Sequence, residues 1–214
     1  MSQPNDSGMV RGFLGHLFPR VVLASNLRLT YTFCLGGLAF TAFVLLLGSG
    51  MLLLFDYRPS PEGAYASILF LEGSVPGGAY LRRLHRLSSH ALLAFTFLHT
   101  LRVVFTGAFR PPRELNWVIG FGLLCMGVFG AYTGYLLPMD QLALWATRTG
   151  TELLATVPGG DLLRQVLVPD EVGGPRSLQR FYALHIAVAP LSILVLSMLH
   201  FFRIRRDKGA LPYL

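Results

Sequence analysis

Residues 83–102, RLHRLSSHALLAFTFLHTLR, and residues 183–202, ALHIAVAPLSILVLSMLHFF, each carry a histidine near either end of an otherwise apolar run. His85 and His99 are 14 residues apart, and His185 and His200 are 15 apart. At 3.6 residues per turn the first pair falls about 40° short of whole turns and the second about 60° beyond them, so each pair lies on roughly one helix face. Both pairs span about 21 Å along the axis. Two such helices running the same way present imidazoles at two matched levels, His85 with His185 and His99 with His200.

Around these stretches the chain is too oily for a soluble domain. Of its 214 residues 53% are hydrophobic and 14% charged, against about 25% charged in ordinary soluble proteins, and the mean hydropathy is +0.54. A soluble multi-domain enzyme is excluded. Runs free of Asp, Glu, Lys and Arg cover 29–55, 87–101, 115–139 and 181–202. A membrane-spanning helix needs about 20 apolar residues, so three of the runs qualify unaided. The second, bounded by Arg86 and Arg102, extends to about 80–105 if those long side chains snorkel. The sequence therefore predicts an all-α transmembrane four-helix bundle. Pro and Gly at both ends of the first loop, with an apolar middle, predict a short surface helix there. The loop TGAFRPPREL is a tight turn, because two prolines cannot continue a helix. A long third loop, about 138–180, carries amphipathic stretches at 142–154 and 161–168.

Ionisable groups inside a span are costly and usually functional. Each level of paired imidazoles can clamp one metal from both sides, and bis-imidazole ligation of haem iron takes one histidine from each of two facing helices. His90 is rotated about 140° from His85 and stands outside the set. His16 precedes the first span. The glycines repeat the spacing: Gly36 and Gly50 on the first span, and Gly120 and Gly134 on the third, are again 14 residues apart. A missing side chain lets backbone approach a flat ligand closely, so the four glycines fit two stacked porphyrins. Arg82 and Arg86 near His85, Arg102 beyond His99 and Arg205 beyond His200 are placed to neutralise haem propionates. Cys34 and Cys125 are too few for a disulfide framework or a four-ligand zinc site.

The charge of +7 has no basic run interleaved with aromatics, so nucleic acid is not an expected partner; lipid headgroups and buried anions are. With four spans the termini share one side. That side holds ten cations, Arg11, Arg20, Arg28, Arg102, Arg110, Arg113, Arg203, Arg205, Arg206 and Lys208, against eight on the other. The rule that cations gather inside places both termini in the cytoplasm. No small-residue cleavage site follows a short apolar core, so the first span is expected to remain in the mature protein. The expected division is a cytoplasmic amphipathic segment at 1–28, the bundle at 29–205 and a cytoplasmic tail at 206–214.

The segments RRLHRLSSHALLAFTFLHTLRVVFTGAFRPPRELNWVIG, GAYTGYLLPMDQ and RFYALHIAVAPLSILVLSMLHFFRIRR together resemble cytochrome b6, the four-helix cytochrome b subunit of cytochrome b6f-type and bacterial cytochrome bc complexes. The resemblance runs from about residue 28 to 208. It implies two b-type haems, the low-potential one on His85 and His185 at the positive side, and the high-potential one on His99 and His200 at the negative side. It also implies that Cys34, in YTFCLGG, holds a high-spin haem c through one thioether bond; an inert thiol is the alternative. GYLLPMDQ resembles the quinol-site and Rieske-docking corner GYxLPWDQ, giving Tyr135, Pro138, Met139 and Asp140 that role, with Met139 where the family has Trp. The family's PEWY segment is missing from the sequence, so a partner must complete the quinol site.

The resemblance implies a transmembrane electron-transfer subunit of a quinol:cytochrome c or plastocyanin-type oxidoreductase, coupled to proton translocation in a bacterial inner membrane or thylakoid. Expected partners are quinone, lipid, a subunit IV-like C-terminal cytochrome b subunit, a Rieske iron–sulfur protein, a c-type cytochrome and a second copy of the complex. Two other functions stay open: a di-haem membrane anchor of a dehydrogenase or hydrogenase, and a cofactor-free scaffold or transporter.

Overall fold

The structure, a computed structural model, describes residues 33–206. The expected N-terminal amphipathic segment, His16 and almost all of the tail lie outside the described residues. The described chain is all-helical: α1 Leu35–Leu53, α2 Pro61–Gly73, α3 Gly78–Phe105, α4 Glu114–Tyr135, α5 Gln141–Ala155, α6 Gly160–Leu167, α7 Pro175–Ala183, a π-helical turn Leu184–Val188, and α8 Ala189–Arg206. Helices α1, α3, α4 and the continuous Pro175–Arg206 segment are long and apolar enough to cross a membrane. The expected surface helices are α2, α5 and α6.

Local chemistry sets the helix starts. Ser60 caps α2 by accepting the Gly63 amide at 3.0 Å, with Pro61 in the first turn. Asp140 caps α5 by accepting the Ala143 amide at 2.8 Å, satisfying a donor that the first turn leaves orphaned. The fourth span starts at Pro175, before the charge-free run that marks it in the sequence. Asp170 explains this early start: its carboxylate accepts the Arg176 amide at 2.9 Å, the Ser177 amide at 3.1 Å and the Ser177 hydroxyl. Desolvation pushes the Asp170 carboxyl up, but these hydrogen bonds outweigh it and hold its pKa below the ordinary carboxylate value.

α1 packs along α3, and α4 along α8. The histidine-bearing helices α3 and α8 stand apart, and their imidazoles bridge the space between them. Along α3 the buried residues are Gly78 and Ser88 alone. The tightly packed cluster sits instead at one end, under the loops, where Ala64, Leu136, Leu178 and Phe181 are fully buried and Tyr57, Tyr132 and Met139 pack against them. Tyr57 donates to the Leu137 carbonyl at 2.7 Å and stacks on Tyr182, tying the first loop to the third.

The π turn has a specific cause and a specific effect. Pro190 has no N–H for the Ile186 carbonyl one turn back, and its ring crowds that carbonyl. The Ala189 amide accordingly bonds to the Leu184 carbonyl, five residues back. A turn closed in this way holds one residue more than an α turn. His185 lies inside it and His200 beyond it, so their 15-residue interval covers the rotation and rise of 14 in regular helix. The two histidine pairs thereby come into closer register than regular helices would give.

Candidate cofactor site

The four predicted histidines meet in two pairs. His85 and His185 have ring centroids 6.2 Å apart, with planes at 75°. His99 and His200 are 6.5 Å apart at 80°. Two imidazoles bound on opposite sides of one first-row metal at about 2.0 Å each place their centroids roughly 6 Å apart. Both pairs therefore fit a bis-imidazole metal.

Hydrogen bonds fix the tautomer at the first pair. His185 Nδ1 donates to the Gly130 carbonyl at 2.9 Å. The Ser49 hydroxyl gives its own proton to the Leu45 carbonyl at 2.6 Å and accepts from His85 Nδ1 at 2.9 Å. With Nδ1 protonated in both rings, each Nε2 keeps its lone pair for a metal. Among the described residues no cluster of three or more His, Cys, Asp or Glu forms. Any further ligands would come from outside these pairs, and a porphyrin would supply four.

Each predicted glycine lies against one histidine. A Cβ on Gly36 would meet His99 at 3.3 Å, on Gly50 His85 at 3.2 Å, on Gly120 His200 at 3.2 Å, and on Gly134 His185 at 2.5 Å. The sequence suggests room for a flat ligand at these positions. In the structure the glycines also seat the imidazoles, one glycine behind each ring.

Around His99 and His200 lies an apolar cavity of about 300 Å³, lined also by Cys34, Phe40, Arg102, Arg113, Asn116 and Trp117. Of the predicted site residues, Cys34 and Arg102 thus share a cavity with His99 and His200. The other predicted residues are more dispersed. Arg82 forms an ion pair with Glu72. Arg86 is exposed on α3, and Arg205 is exposed in the last turn of α8. His90 is exposed, away from both pairs. Tyr135 ends α4, Met139 takes a left-handed φ of 54° and packs near Gly173, and Asp140 spends its carboxylate on the α5 cap. Sequence reading misses Arg113, which is 8% exposed and faces the cavity. Pro112 before it marks the turn, and the available signal was a cation placed immediately before an apolar span.

Four membrane-length helices holding two stacked imidazole pairs, each spaced as two ligands of one metal would be, define an integral membrane protein. A family model described as "Cytochrome b(N-terminal)/b6/petB" matches residues 90–213. The chain is 40% identical over 174 residues to "Cytochrome b6" of Heliomicrobium gestii, covering 81% of this chain and 82% of that protein. It is 37% identical over 200 residues to the "Menaquinol:cytochrome c reductase cytochrome b subunit" of Geobacillus thermodenitrificans, covering 92% and 89% of the two chains. A solved structure titled "Hyperthermophilic respiratory Complex III" superposes with a TM-score of 0.81 at 27% identity, over 95% of this chain and 54% of that one. This chain thus spans about half the length of the solved one. The chain belongs to the cytochrome b/b6 family, and membership implies b-type haem.

Proposed function

We propose that this chain is the membrane electron-transfer subunit of a quinol:cytochrome c or plastocyanin-type oxidoreductase, inactive alone. It would carry electrons from quinol oxidised on the positive side of the membrane to a quinone-reduction site on the negative side, coupled to proton translocation. The imidazole pairs at 6.2 and 6.5 Å, set one above the other in a bundle of this family, support that role most directly. Bound there, two b-type haems would supply reversible one-electron chemistry at two depths of the membrane. His85 and His185 would hold the one nearer the loop-rich end, His99 and His200 the one nearer Leu35 and Arg206, at the end that would face the cytoplasm or stroma. With His85, His185, His99 and His200 committed to holding the two haems, quinone would bind elsewhere. Tyr135, Pro138, Met139 and Asp140 contribute to the quinol-oxidation corner, which a subunit IV-like partner completes and a Rieske protein visits. A c-type cytochrome, quinone and a second copy of the complex are further partners.

The complex isolated in mild detergent should contain a Rieske protein and reduce a c-type cytochrome when quinol is added. Isolation instead with a dehydrogenase or hydrogenase, without Rieske protein, would overturn the assignment in favour of a di-haem anchor.

Cys34 opens onto the same cavity as His99 and His200, which supports a third, covalent haem at that end. Addition of the thiol across one porphyrin vinyl group forms a single thioether and moves the thiol proton to the vinyl carbon. Haem staining after denaturing electrophoresis should label a band at 23.6 kDa, plus the mass of haem, and Cys34→Ala should abolish it. A colourless wild-type band rejects the attachment.

A further inference from the structure

The residue before each histidine-facing glycine differs between the two levels. It is Ser49 before Gly50 and Thr133 before Gly134 at the loop-rich end, but Leu35 before Gly36 and Ile119 before Gly120 at the other. Side-chain hydroxyls therefore serve one pair of imidazoles. Ser49 Oγ accepts from His85 Nδ1 at 2.9 Å while its own proton is committed to the Leu45 carbonyl at 2.6 Å. Ser49 is 4% exposed, so water does not compete for the bond. Thr133 Oγ1 lies 3.5 Å from His185 Nδ1, whose nearer acceptor is the Gly130 carbonyl at 2.9 Å. Among the described residues no side-chain hydroxyl is hydrogen-bonded to His99 or His200.

Resting on the assignment of the four histidines as haem ligands, we propose that Ser49 is a positioning residue that lowers the midpoint potential of the outer haem, acting through His85. An acceptor on Nδ1–H draws that proton outward and makes the imidazole a stronger electron donor at Nε2. Stronger donation favours the ferric over the ferrous state, and second-shell hydrogen bonding is one of the protein's levers on haem potential. The bond is buried in a low-dielectric bundle, where such polarisation is stronger than in water. This buried hydroxyl is then one of the differences between the two levels, and it involves no change in ligand type. Thr133 adds to the same field from the opposite ring at longer range.

Redox-titrated optical spectra of the purified complex test this, the outer-haem wave being the one that survives in His99→Ala. Ser49→Ala should raise the outer midpoint, leave the inner midpoint in place and retain both haems. An unmoved outer midpoint with full haem content overturns the proposal. A wild-type complex without b-type haem refutes the ligand assignment itself, a distinguishable failure. Should Ser49→Ala shed its haem, Leu35→Ser carries the test, because it sets a hydroxyl one residue before Gly36, in the position that Ser49 holds toward Gly50. The inner midpoint should then fall, and an unmoved one overturns the proposal equally.

Discussion

His99→Ala is expected to remove the inner b-type haem and spare the outer one, so that non-covalent haem per chain falls by about half. His99 faces His200 at 6.5 Å, and one imidazole cannot grip a metal from both sides. Apart from His99 and His200 no other histidine lines the cavity, and His90 is exposed on α3. The apolar cavity around the pair would bind a porphyrin by burial alone only weakly. Extraction of non-covalent haem with acid acetone, followed by a pyridine haemochrome spectrum, gives the count. An unchanged haem-to-protein ratio would sink the ligand assignment, and loss of both haems would point to collapse of the bundle rather than loss of one ligand.

Gly134→Ala should be the most damaging of the glycine substitutions. Its added methyl would lie 2.5 Å from His185 Cε1 and 2.8 Å from Nδ1, well inside van der Waals contact. The ring cannot retreat freely, because Nδ1 is held by the Gly130 carbonyl and the residue sits in the π turn. Outer-haem occupancy should fall sharply, along with the thermal unfolding midpoint. Gly36, Gly50 and Gly120, with 3.2 to 3.3 Å of clearance, should show the same defect in milder form. Gly48→Ala offers the opposite sign. Nothing lies within 4 Å of its added methyl, so alanine there should leave haem content alone and stabilise α1 by up to about 1 kcal/mol through helix propensity. Equal losses at Gly134 and Gly48 would show that backbone conformation, and not contact with the histidine, is what these positions require.

Periodicity and length carry most of the architecture. Charge-free runs mark the spans because lipid tolerates few ions, and the amphipathic stretches mark the surface helices because water and lipid meet there. The histidine levels are legible for the same reason: 14 residues return a helix to nearly the same face. Rotational phase, however, says nothing of depth. It shows that Gly134 and His185 can face one another, but not that an imidazole occupies the space a Cβ would need. Nor does it reveal competing partners. Arg82 pairs with Glu72 across the first loop, and Asp140 caps α5; both contacts join elements whose relative placement depends on the folded loops. Ser49 is hidden for another reason, since a serine in an apolar span usually bonds to its own helix. This one does so and still accepts from a residue 36 positions away.

The π turn beside His185 also bears on how such a helix can change over generations. In a regular ligand helix, gaining or losing one residue between the two histidines rotates everything downstream by about 100° and swings His200 away from His99. Here the supernumerary residue is stored locally, between Leu184 and Ala189. A one-residue deletion between His185 and Pro190 would return that turn to α spacing, still kinked by Pro190, and leave both histidines in register. A helix of either length would therefore keep both imidazole pairs facing, so this turn can absorb a change of length inside a membrane span.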